Sequence, residues 1–94
     1  MDTPAPAITF SDFMLSLGHT AAVHFGDVAD PHTGERSEQN LAAAAHMIEL
    51  IALLQEKTKG NLIEPEAQLV DDLLYDLRLR YVQARQGEKR IVEP

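Results

Sequence analysis

Four histidines, His19, His24, His32 and His46, are the residues of this chain best suited to metal or proton chemistry. Imidazole holds zinc when ligands converge, for instance two from one turn of a helix. His19 and His24 stand five apart, a spacing that turns them to different faces of a helix. His24 falls on an apolar face, where it reads as a hydrogen-bonded structural histidine. His46 and Glu49, at i and i+3, share a narrow polar strip. Di-iron bundles present Glu-x-x-His from paired helices; here the order is reversed and there is no second copy. His32 lies in a loop near Asp27 and Asp30. A metal or small-molecule site over Asp27 to Glu35, or on the His46/Glu49 strip, is therefore an alternative function. In turns, however, Asp usually bonds its own backbone.

The run "EKTKGNL", Glu56 to Leu62, looks at first like a phosphate loop. A Walker-type loop needs Gly before Lys and a strand before both, so that backbone N–H groups wrap the phosphates. In this chain the lysines precede the glycine and a helical pattern precedes everything. A helix C-terminus carries partial negative charge, which repels phosphate and attracts Lys. Lys57 and Lys59 complement that dipole, Gly60 lets the chain reverse, and Leu62 folds back onto the helix.

Catalysis by a nucleophile would need Ser11, Ser16 or Ser37 placed against a base. No Gly-x-Ser-x-Gly elbow places them, and a bundle without a strand-to-helix turn is a poor site for an oxyanion hole. No catalytic residue, cofactor or metal ligand is assigned. Arg78, Arg85 and Lys89 lie near one helical line, which makes a nucleic-acid-associated regulator a further alternative. Interleaved aromatics for base stacking are missing, since Tyr81 belongs to the core face. Acids early and bases late in the same segment also follow the helix dipole, with Asp76 and Arg80 as an expected i,i+4 pair.

The 94 residues carry 15 acidic and 8 basic side chains, a net charge of −7. That balance opposes non-specific binding to DNA, RNA or anionic lipid. The absence of cysteine excludes disulfides and thiolate metal sites and fits a reducing compartment. No charged segment precedes an apolar one at the N-terminus, so no secretory signal is expected. The apolar run Leu41 to Leu54 is shorter than the roughly 20 residues a bilayer needs. A cytoplasmic protein with no membrane contact is expected.

Three helices must position whatever site exists. Residues 1–8, with two prolines, read as a flexible lead-in, 9–86 as a single helical domain, and 87–94 as a flexible tail. Thr9 or Ser11 can cap the first helix, which ends at Phe25 with Gly26 in a left-handed turn. Phe10, Phe13, Met14, Leu17, Ala21, His24 and Phe25 share its apolar face, with Leu15, Gly18 and Ala22 as a flank. Gly18 in a helix interior costs about 1 kcal/mol relative to Ala, which predicts the close approach of another helix. The four alanines Ala42 to Ala45 are the expected counterpart. Asp30-Pro31 and Gly34 mark a turn in the long Gly26–Asn40 loop.

The second helix is capped by Ser37 or Asn40 and ends near Gly60. It is apolar nearly all round and is expected to be central. The third begins at Glu64-Pro65-Glu66, with Pro at the first position, and runs to about Gln86. Its core face is Leu69, Val70, Leu73, Leu74, Leu77 and Tyr81. Tyr75, Leu79 and Val82 form a second apolar stripe on the other side. A small bundle has difficulty burying both, so this stripe, with Leu15, Gly18 and Ala22, is the candidate partner interface.

The ordered segments "TFSDFMLSLGHTAAVHFGDV", "DPHTGE", "NLAAAAHMIELIALLQEKTKGNL" and "LLYDLRLRYV" resemble a bacterial family known only as a domain of unknown function, number 1844. The resemblance spans Thr9 to Val82. It implies a small helical cytoplasmic protein, with no established activity, cofactor or catalytic residues to carry over. The family tends to follow KTKGNL with Thr and acids; Ile63-Glu64-Pro65 departs from this and implies a third helix starting one residue later.

The expected fold is all-α: a three-helix chain with antiparallel helical hairpins, assembled as a homodimeric bundle. The leading functional expectation is a non-enzymatic protein-interaction or adaptor module, because a domain this small is marginal alone and no catalytic set converges.

Overall fold

The structure, a computed structural model, describes residues 7–90, and side chains through Gly87. Most of the expected lead-in, and the chain beyond Arg90, lie outside the described residues. Three helices follow one another: α1 (Phe10–Phe25), α2 (Leu41–Lys57) and α3 (Glu64–Arg90). Among the described residues the only β-type pairing is an isolated bridge between Ala29 and Arg36 in the loop. The fold is all-α, and each helix packs against both others, α2 more extensively than either neighbour.

Local chemistry sets the helix ends. Thr9 caps α1, its Oγ1 accepting from the Asp12 amide at 2.9 Å, which satisfies one orphan donor of the first turn. Gly26 closes α1 at φ 82°. Its N–H donates to Val23 O at 2.9 Å and the next, Asp27 N–H, to Ala22 O at 3.0 Å, a Schellman closure. Asn40 caps α2, with Oδ1 accepting from Ala43 N at 3.0 Å.

α3 starts at Glu64, so the later start implied by Ile63-Glu64-Pro65 is corrected. Ile63 occupies the cap and has no side-chain acceptor. The Glu66 carboxylate instead accepts from the Ile63 N–H at 3.1 Å, which is half of a capping box. Pro65 thereby sits second in the helix, still among the positions whose N–H has no intrahelical partner. α3 continues past Gln86 to Arg90, so the first residues expected in the tail are helical.

The core gathers Met14, Ala21 and Phe25 of α1, Ala44, Met47, Ile48 and Ile51 of α2, and Val70, Leu74, Leu77 and Ala84 of α3. Leu69, Leu73 and Tyr81 pack around it, so the expected core face of α3 holds. On α1, Phe13 is 43% exposed and is not a core residue, because it lies at the edge of the apolar sector defined by Met14, Ala21 and Phe25. Val23, on the far side of α1, is buried. The loop folds back there: Pro31 and His32 line a cavity together with Val23.

Gly18 is buried, and a Cβ on it would lie 2.8 Å from Leu73 Cδ1. The close approach is real, but its counterpart is a leucine of α3, not the alanines of α2.

Candidate functional site: the outer face of α2 and α3

The KTKGNL turn is built as helix termination. The Thr58 N–H donates to Leu54 O at 3.0 Å, the Lys59 N–H to Glu56 O at 3.4 Å and the Asn61 N–H to Thr58 O at 2.8 Å. Those amides are engaged, whereas a phosphate loop offers free ones. Gly60 holds φ 86°, and Leu62 packs on the core. The groove beside Lys59 also contains Glu56 and Asp71, carboxylates that oppose a phosphate.

The long loop brings three of the histidines together. His19, His24 and His32 line one cavity of about 260 Å³ with Asp30, although the spacing of His19 and His24 argued for separation. Asp30 is occupied as a turn residue. Its Oδ1 accepts from the His32 N–H at 2.8 Å, and its carbonyl accepts from Gly34 N at 2.7 Å and Thr33 N at 3.2 Å. Gly34 adopts φ 77°. Among the described residues no three His, Asp or Glu side chains converge as a metal ion would require.

This loop is tied to the bundle at both ends. The Asn40 N–H donates to His24 O at 2.7 Å. Arg80 of α3 grips Asp27 with Nε to Oδ2 at 2.8 Å and Nη2 to Oδ1 at 2.7 Å, a bidentate fork. The guanidinium also lies 5.0 Å from the Phe25 ring centroid, within cation–π range. Those hydrogen bonds from Arg80 first, then the positive charges of Arg80 and Arg36, hold the Asp27 carboxyl below its ordinary value against the opposing effect of burial. The same bonds raise the Arg80 guanidinium further. Arg80 therefore bonds across the bundle to Asp27, 53 residues away in sequence, in place of the expected pairing with Asp76.

The second stripe of α3 is open. Tyr75, Leu79 and Val82 are 68%, 46% and 49% exposed, while Leu74, on the same helix, is 2% exposed. All three line a shallow groove of about 350 Å³ with Gln55 of α2 and Asp71 and Arg78 of α3. A second groove, about 340 Å³, continues the seam along α2 through Ala45, Ile48 and Glu49 and shares Arg78 and Val82. Gln55 Nε2 donates to Asp71 Oδ1 at 2.7 Å across the seam.

The other expected interface residues lie elsewhere. Leu15 is 51% exposed on α1 and lines neither groove. Ala22 is half-buried. Gly18 is covered by Leu73 of the same chain and has no free surface for a partner, which corrects its place in the interface. Arg85 lies 5.9 Å from the Tyr81 ring; the Lys89 side chain falls outside the described ones, so the expected basic line is only partly visible. Arg78 is the residue whose role the sequence concealed. It counted as one of a basic row, yet it stands in the apolar seam. Its placement one turn from both Tyr75 and Val82 was the available signal.

This open seam on a three-helix bundle occurs in a chain whose residues 7–83 match the family model "Domain of unknown function (DUF1844)". The chain belongs to this family. The match takes in α1, α2 and most of α3, with both grooves of the outer face. No curated protein and no solved structure matches the chain significantly. No helix among the described residues is long and apolar enough to cross a membrane.

Proposed function

We propose that this DUF1844 member is a non-enzymatic protein-interaction module that acts as a homodimer, its helices arranged as antiparallel hairpins, in the bacterial cytoplasm. The observation that carries this reading is the exposure of Tyr75, Leu79 and Val82 in one groove beside α2. Large aromatic and aliphatic side chains in a contiguous seam, with a polar rim of Gln55, Asp71 and Arg78, have the composition of a contact surface. A 94-residue chain also gains most from a partner, because small domains bury the least of their unfolded surface. The lack of cysteine fits a reducing compartment. Multi-angle light scattering of the full chain at micromolar concentration tests the proposal. A mass twice that of the chain is expected, and a monomer across the range would overturn it.

A further inference from the structure

The charges around the outer face select its occupant. Arg78 and Val82 belong to both grooves. Arg78 stands between two carboxylates, Glu49 on the α2 side and Asp71 on its own helix. A polyanion would meet those acids with no positive group of its own to answer them. A basic peptide would meet Arg78 in the middle of its path. A second copy of this chain brings both signs to the face, so its acid can meet Arg78 while its own Arg78 meets an acid. In a two-fold contact residue i meets j and j meets i, so a face bearing Arg78 and displaced acids on either side can complement itself.

Resting on the dimer proposed above, we infer that the second copy docks isologously on this α2/α3 face. Tyr75, Leu79 and Val82 form the buried centre, and Arg78 of each copy pairs with Glu49 of the other. Glu49 is favoured over Asp71 because the Asp71 carboxylate already accepts from Gln55 at 2.7 Å. The Arg78–Glu49 pairs fix which way the copies face, since like charges brought together at an interface are strongly unfavourable. They also offset, at the contact itself, the mutual repulsion of two acidic chains.

Charge reversal on the full chain, read by sedimentation equilibrium, is the test. Arg78→Glu and Glu49→Arg each place like charges across the interface and should weaken self-association by about tenfold or more. Both residues are exposed, so circular dichroism should show unchanged helicity. The combined variant, Glu49→Arg with Arg78→Glu, should recover the wild-type constant to within a few-fold. If wild type dimerises but the single reversals change nothing, or the combined variant fails to recover, this pairing is wrong while the dimer stands. A wild type that stays monomeric overturns both and leaves the face to a different protein.

Discussion

Arg80, near the middle of α3, holds Asp27, the second residue past the end of α1, through two hydrogen bonds of 2.8 and 2.7 Å. This fork closes a circuit. The loop leaves α1 at Gly26, is fastened to α3 at Asp27, and returns to α1 where the Asn40 N–H meets His24 O. It thereby ties the cap of α2 to the last turn of α1.

The fork makes stability depend on pH in one direction. The folded-state pKa of Asp27 is depressed below 3.8. Its contribution is therefore complete above the unfolded value and is lost as pH falls through the folded one. Both side chains are about one-third exposed or more, so solvent screening keeps the pair near the surface range of about 0.2–1 kcal/mol. Asp27→Asn should lower Tm by a few degrees at pH 7. The gap between variant and wild type should close as pH drops below about 4. Thermal melts at pH 7 and pH 3 check this; an equal gap at both would refute it.

Gly18 and Leu73 should behave as a coupled pair. Gly18→Ala gains helix propensity of about 1 kcal/mol but pushes on Leu73 Cδ1 at 2.8 Å. That atom ends a flexible side chain, so the net change should stay within about 1 kcal/mol. Gly18→Leu should destabilise by about 1–3 kcal/mol through overpacking. Adding Leu73→Ala should recover part of that loss. Urea titrations of the single and double variants give the coupling, and strict additivity would contradict the contact.

Gly60 tests the hairpin turn. Its φ of 86° is strained for any residue with a Cβ, although the space around it is open. Gly60→Ala should cost about 1–2 kcal/mol, visible as a lower urea midpoint with an unchanged slope. No loss of stability would mean that the turn does not require the left-handed conformation.

Most of the fold was legible because it rests on local chemistry. Thr9, Gly26, Asn40 and Gly60 act at the positions their types announce, since caps and left-handed turns are satisfied within a few residues. What was not legible depended on the return path of the loop. Val23 falls outside the apolar face and flank read for α1 and is buried where the loop folds back; His19, His24 and His32 meet for the same reason. Arg80 had an obvious neighbour in Asp76, four residues away, and took Asp27 from another element. Gly18 announced a close approach but not its counterpart. In the candidate site, the Tyr75, Leu79 and Val82 stripe followed from helical spacing alone. Its α2 half was marked for other roles, Glu49 as a polar strip with His46 and Ala45 as part of the alanine run expected opposite Gly18, and spacing within α2 alone could not join them to α3.

The two apolar sides of α3 should respond differently to the same substitution. Leu74 is 2% exposed, and Leu74→Glu buries an unpaired charge, enough to unfold a domain whose total stability is about 5–15 kcal/mol. Leu79 is 46% exposed, so Leu79→Glu should leave the helical signal in circular dichroism intact. Loss of helicity in both variants would mean that the Leu79 side of α3 is part of the core.

The most direct measurement is sedimentation equilibrium of the wild-type chain and Leu79→Glu across micromolar concentrations, with helicity verified in parallel. Wild type should fit a reversible dimer, and Leu79→Glu should sediment as a folded monomer. A wild-type monomer, or a Leu79→Glu dimer of undiminished affinity, would contradict the account.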